Sequence, residues 1–266
     1  MCARVILTAM IVLTSVSKDF GRGKILDGVS LCIEPHECVC ILGPSGAGKS
    51  VLLSLLIGAE APTGGTITID GADLRAIPRP ALQLFRRKVG IVFQDAKLLS
   101  MRTVAENIAF PLEVNGADDA MIQRRVEELL RRMDLAQQRD ALPHELSTGQ
   151  QARTAIARAV AHKPLILIAD EPLRNLDADQ AQNALQLFRE LHATGMTMIL
   201  MTCDVALADA LRARIIRLAH GKITGEDAAK PDREGIMQTP KALVKTHVEA
   251  IEKRRKVRVT AIHSEG

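Results

Sequence analysis

The chain reads as an α/β protein with a mostly parallel sheet at its core, and three features of the sequence carry that reading. Short aliphatic or β-branched runs recur at Cys38–Leu42, Thr66–Ile69, Val89–Phe93, Leu165–Ala169, Met196–Met201 and Ile215–Leu218. Several are apolar at successive positions, as strands covered on both faces must be. Helical patterns lie between them, and strands alternating with helices specify an α/β layer architecture.

Taken in order, Ile11-Val12-Leu13 opens the domain as a first strand, and Val51–Gly58 is the helical run that follows Cys38–Leu42. Ile122, Val126, Leu129, Leu130 and Met133 fall at i, i+4, i+7, i+8 and i+11. That spacing is one apolar stripe of a helix whose other face is Arg, Glu and Gln. Ser147 is placed to cap a helix through Val160, and Ala178–His192 forms another. From about Ala96 to Val160 the alternation stops, which predicts a helical subdomain inserted between core strands. The α/β domain is expected over residues 1–227, followed by a basic extension, 228–266, that is partly helical or disordered. Within the extension, residues 230–235 read as a linker, and Pro240–Val257 predicts a helix with Val244, Val248 and Ile251 on one face.

At 266 residues the chain has room for one sizeable core with a subdomain. With five Phe and neither Tyr nor Trp, that core must come from Leu, Ile, Val, Ala and Met. No stretch reaches the roughly 18–20 apolar residues that a bilayer span needs. The apolar segment Ala3–Thr14 is short, contains Arg4 and has no convincing cleavage site, so Met1 and Met10 both stay open as the natural start. Of the five cysteines, Cys38 and Cys40 alternate on a buried strand as small core residues, and no pair of CxxC units offers a zinc site. A reducing cytosol fits them. Ala228–Gly266 holds nine Lys or Arg against five Asp or Glu, which is the whole +4 net charge. The neutral body argues against a nucleic-acid partner.

The strongest local signal is Gly43-Pro44-Ser45-Gly46-Ala47-Gly48-Lys49-Ser50, a phosphate-binding P-loop between a strand and a helix. Its glycines let successive N–H groups curl around an anionic oxygen, and the helix N-terminus adds its positive dipole. Lys49 is expected to reach the β- and γ-phosphates, and the Ser50 hydroxyl to ligate Mg²⁺. A second site is the strand Leu165–Ala169 ending in Asp170 and Glu171. Two carboxylates at the end of a buried strand are costly unless a cation or a reaction needs them. Asp170 is expected to hold the Mg²⁺ through its water shell, and Glu171 to polarise an attacking water.

Between these sites lies Leu146-Ser147-Thr148-Gly149-Gln150-Gln151 at a helix start. With it the chain, from about Ile11 to Gly225, resembles the ATP-binding cassette (ABC) ATPases, whose signature is Leu-Ser-Gly-Gly-Gln or a close variant. The resemblance implies a P-loop NTPase fold with a RecA-like mixed sheet, an antiparallel β subdomain and the inserted helical subdomain. It matches Gln94 to the γ-phosphate-sensing glutamine and Mg²⁺ ligand, Asn175-Leu176-Asp177 to the D-loop, and Phe20 to the aromatic that stacks on adenine. Val51 and Gln150 fall at nucleotide-contacting positions. The resemblance further implies a head-to-tail homodimer sandwiching ATP, with Ser147 and Gly149 touching the γ-phosphate bound by the other copy. Motion would pass to a separate membrane subunit, placing the chain on the cytoplasmic face of the membrane.

Residues Phe93–Val114, with Leu84–Gly90 before them, resemble the cell-division branch of the family, which implies an FtsX-like permease partner and control of peptidoglycan hydrolases. The ATPases of lipoprotein-releasing and macrolide-export systems stay open as the alternative. Four positions depart from the family pattern: Cys203 replaces the switch histidine, Thr148 the first signature glycine, Val51 a hydroxyl, and Leu173-Arg174 the usual Thr-Gly. A thiol is a poorer donor than imidazole, so these departures imply slow turnover or an ATP-gated scaffold with little hydrolysis. Lys253-Arg254-Arg255-Lys256-Val257-Arg258 is either an anionic-lipid contact or a solvated tail.

Overall fold

The computed structural model describes residues 11–21 and 23–229. The two candidate starts, the linker at 230–235, the helix at 240–257 and the basic run at 253–258 lie outside the described residues.

Strands β1 (Ile11–Asp19) and β2 (Lys24–Ile33) pair antiparallel, and β3 (Cys38–Leu42) leads into helix α1 (Lys49–Leu56). Next come β4 (Gly64–Ile69), the short β5 (Ala72–Asp73), α2 (Arg79–Arg86) and β6 (Val89–Val92). Three helices then precede the next strand: α3 (Val104–Val114), α4 (Asp119–Arg132) and α5 (Thr148–Val160). The chain continues through β7 (Ile166–Asp170), α6 (Ala178–Ala193), β8 (Thr197–Thr202), α7 (Val205–Ala210), β9 (Arg214–Ala219) and β10 (Lys222–Asp227).

These strands form two sheets. One is antiparallel, in the order β2-β1-β4-β5. The other runs β10-β9-β3-β8-β7-β6 and is parallel except for β10 at its edge. The parallel strands are apolar at successive positions because each face meets a different core. On β3, Cys38 and Cys40 pack with the helical side, while Val39 and Ile41 join the core formed with α1 and the antiparallel sheet. Leu167 and Ala169 against Ile166 and Ile168, and Met198 and Leu200 against Ile199 and Met201, divide the same way. That is the two-residue period of a strand read on a doubly covered sheet.

Helix starts follow their caps. Thr103 with Glu106, and Ser147 with Gln150, form capping boxes at α3 and α5, and Asp118 and Asp177 cap α4 and α6. Helix α1 begins at Lys49, two residues before the expected Val51, because Gly48 turns the chain at φ 104°. Leu165 lies just outside β7 and is exposed. Strand β2 carries Asp27-Gly28 in its middle, and the register of its pairing with β1 shifts repeatedly, so its alternation loses phase. Helix α2 buries none of its eight residues fully, and its short apolar stripe, Leu82 and Phe85, packs half-buried against the core.

His162, between α5 and β7, has neither ring nitrogen hydrogen-bonded among the described residues. Burial pushes its pKa down from 6.5 to about 4. The folded state therefore disfavours the imidazolium, and stability is lost as pH falls from 6.5 towards 4. Thermal melts across that window should show a smaller drop in Tm for His162→Gln than for the parent chain. Equal slopes would mean that the ring is solvated.

Candidate functional site

The parallel register sets Leu42 opposite Thr202, Asp170 opposite Met201, and Val92 opposite Ala169. The carboxyl ends of β3, β8, β7 and β6 thus share one edge, where open α/β sheets bind ligands.

At that edge the loop Gly43–Gly48 is tied to β8 by the Gly43 N–H, which donates to the Thr202 carbonyl at 3.1 Å. A Cβ at Gly43 would stand 2.2 Å from the Leu218 carbonyl oxygen, so only glycine fits there. Gly46, at φ 81°, would point its Cβ into open space, on a face left clear for a ligand. The first turn of α1 holds no acidic residue and no side-chain cap, which leaves its amide groups and positive dipole end available to an anion.

Behind the loop sits a compact polar cluster. Lys49 is buried, and its Nζ donates to the carbonyls of Gly43 at 2.7 Å and Pro44 at 3.2 Å. The same ammonium lies 3.3 Å from Glu171 Oε1. Ser50 Oγ donates to Asp170 Oδ2, while the buried Asp170 Oδ1 has no hydrogen-bond partner. Burial, reinforced by the Glu171 charge, pushes the Asp170 pKa up; the Ser50 hydrogen bond and Lys49 oppose that rise. A desolvated carboxylate with a free lone pair beside a hydroxyl is a hard-oxygen donor set, and it fits a small divalent cation that keeps several waters.

Glu171 adopts φ 48°, a left-handed conformation costly for a residue with a side chain. Its N–H donates to the Met201 carbonyl at 2.8 Å, and its Oε2 accepts from Thr202 Oγ1 at 2.9 Å. The exposed Cys203 Sγ stands 3.9 Å from the same oxygen. A carboxylate fixed in this way can orient and polarise a water, beside a lysine and a cation site that can take up phosphate charge.

An open cavity of about 540 Å³ flanks the loop, lined by Lys24, Ile25, Gly46, Gly48, Ser50, Val51, His220 and Gly221. Lys24, Ile25, His220 and Gly221 escaped the sequence reading, since no motif marks them. Gly221 is packed so closely that a Cβ would stand 2.3 Å from the Ile25 carbonyl oxygen. Phe20 is half exposed and does not line this cavity; the buried Lys18 ammonium lies 4.6 Å from its ring centroid.

On the other side of Glu171, Gln94 is exposed in a cleft of about 150 Å³ that also touches Thr148, Gln151 and Asn175. Ser147 Oγ accepts from the Gln150 N–H at 3.3 Å, and Gln150 Oε1 accepts from the Ser147 N–H at 2.8 Å. Gly149 is pressed against the segment after β7, where an added Cβ would stand 3.1 Å from the Asn175 carbonyl oxygen. The fold therefore gathers Lys49, Ser50, Asp170 and Glu171 into one cluster with Gln94 across the cleft. Ser147, Gly149 and Gln150 line no part of the cavity beside the phosphate loop.

Comparison with known proteins agrees with this geometry. Residues 26–174 match the family model described as ABC transporter. The chain is 38% identical over 220 residues to the cell division ATP-binding protein FtsE of Bacillus subtilis (strain 168), spanning 82% of this chain and 96% of that protein. It is 39% identical over 217 residues to FtsE of Escherichia coli (strain K12), spanning 81% and 98%. Among solved structures, the dimeric post-hydrolysis state of the ATP-binding cassette MJ0796 bound to ADP and Pi superposes with a TM-score of 0.78 at 33% identity. That match covers 84% of this chain and all of the other.

Because ionised Asp170 is disfavoured by burial, it costs the folded state stability above its raised pKa, and the cost vanishes as pH falls below 3.8. Asp170→Asn should therefore raise Tm at neutral pH. A lower Tm in scanning calorimetry would show that the carboxylate is already compensated.

Proposed function

Because the chain belongs to the ABC transporter family of ATP-binding cassette ATPases, we propose that it is an FtsE-like subunit that dimerises on ATP and drives a separate membrane protein in cell division. The observation that carries this reading is the cluster of Lys49, Ser50, Asp170 and Glu171 at the strand-end edge, directly behind the phosphate loop.

In the proposed cycle the triphosphate lies along Gly43–Ser50. Lys49 turns from the Gly43 and Pro44 carbonyls and from Glu171 towards the β- and γ-phosphates. Glu171, released from the ammonium, orients and polarises the attacking water. Ser50, Asp170 and Gln94 are the residues that would hold Mg²⁺, which neutralises charge on the phosphate oxygens. Phe20 stacks on the base. Ser147 and Gly149, which do not line the cavity beside this chain's own phosphate loop, serve the nucleotide bound by a second copy, as the dimeric MJ0796 relative suggests. With Cys203 at the switch position, turnover is slow.

The proposed membrane partner is an FtsX-like subunit, and the proposed output is control of peptidoglycan hydrolysis. Among the described residues no helix is long and apolar enough to cross a membrane. The docking face we favour is the groove of about 360 Å³ between α2 and α3, where Phe110 and Val114 are exposed beside Arg86, Arg87 and Pro111. Two uncharged side chains open to water next to a polar rim suit a short amphipathic segment. Residues 1–227 make up the ATPase domain in this reading. Residues 228–266 are an extension whose basic run contacts anionic lipid on the cytoplasmic face of the membrane.

Steady-state hydrolysis tests the reading directly. Glu171→Gln should lower kcat by at least about 100-fold while ATP-driven dimerisation persists, and Cys203→His should raise kcat severalfold. If the parent and both variants bind ATP and dimerise without releasing phosphate, the chain is a nucleotide-gated scaffold. Val114→Glu should leave basal hydrolysis intact and abolish co-purification with an FtsX-like membrane subunit. Undiminished co-purification would move the docking face elsewhere.

A further inference from the structure

Cys203 leaves open what holds the catalytic carboxylate in place, and the structure points to its neighbour. Thr202 is the last residue of β8 and is 2% exposed. Its backbone is fixed on both sides: it pairs with Leu42, and its carbonyl accepts the Gly43 N–H. Its side chain is fixed as well. The hydroxyl oxygen accepts the Asp204 N–H at 3.0 Å, so its own proton is directed to Glu171 Oε2 at 2.9 Å. A β-branched side chain has few rotamers, and burial removes the competing water. Cys203, by contrast, is exposed, and its weakly donating thiol stands 3.9 Å away at the limit of a sulfur contact.

We propose that Thr202 is the positioning residue for Glu171, supplying through its hydroxyl the restraint that the thiol at position 203 cannot. The proposal rests on Glu171 being the residue that orients water. The two carboxylate oxygens have different holders: Oε1 faces Lys49 and Oε2 faces Thr202. When Lys49 turns to phosphate, the first holder is lost and the second remains. The Thr202 hydrogen bond, together with the Glu171 N–H bond to Met201, then keeps the carboxylate from pivoting while the water is aligned. The hydroxyl stabilises an orientation and takes no part in proton transfer.

The test compares the parent chain with Thr202→Val, which keeps the branched shape and removes the donor, and with Thr202→Ser, which restores the donor. Thr202→Val is expected to lower kcat by about 10- to 100-fold with KM for ATP within about twofold, and Thr202→Ser to recover most of the loss. In a Glu171→Gln background, Thr202→Val should add no further loss, since the carboxylate it positions is gone. Thr202→Ala serves as the second donor-free variant should the valine chain melt below the assay temperature. Turnover within about twofold of the parent in the donor-free variants overturns the proposal. So does a KM that rises in step with the fall in kcat, because the hydroxyl would then be supporting the phosphate loop. If Glu171→Gln alone hydrolyses like the parent, the assignment of Glu171 itself falls and takes this inference with it.

Discussion

The buried ammonium of Lys49 is the interaction on which the strand-end edge depends. It has left water for two carbonyls of its own loop and one carboxylate oxygen, and such a charge is tolerable only while all its partners stay in place. Through it, the loop after β3 is bound to the residue after β7, although β8 lies between the two strands. The left-handed Glu171, the glycine-only approach at Gly43 and the backbone link from Gly43 to Thr202 all bring those partners within reach. In the proposed cycle, an anion entering the loop draws Lys49 away from Glu171 Oε1, while Thr202 still holds Oε2.

A second set of bonds connects this edge to the helical side. Arg158 on α5 donates to the carbonyls of Ala96 and Lys97, just beyond Gln94, at 2.9 Å each. The fully buried Asn107 on α3 bonds backbone groups of Leu99, Arg102 and Thr103. The segment after β6 is therefore strapped to the helix that Ser147 opens and to the helix that walls the α2–α3 groove. In the proposed cycle, a displacement of Gln94 by ligand is passed through these bonds to α3 and α5.

Much of the fold was legible in the sequence, where one physical effect dominates locally. Cys38–Leu42 coincides with β3, and Ser147 caps α5 as its place before Thr148 and Gln150 implies. The stripe from Ile122 to Met133 accounts for α4. The sequence reading failed where local signals cancel. Asp27-Gly28 obscures β2, the surface helix α2 offers only the short stripe of Leu82 and Phe85, and Gly48 starts α1 early from a left-handed turn in which an added Cβ would meet Leu26 and Ile25.

The same division holds at the site. Glycine spacing, the lysine and the acidic pair after an apolar strand determined the chemistry, because backbone geometry, charge and the cost of burying carboxylates are properties of short segments. Tertiary structure decided which partners those groups meet. It set His220 and Gly221 beside the phosphate loop, gave Thr202 and not Cys203 the short bond to Glu171, and left Asp170 with an unpartnered oxygen. Each of these depends on the parallel register of β3, β7, β8 and β9 and on the packing that holds it. That packing sums contacts between residues far apart in the chain, which no local pattern encodes.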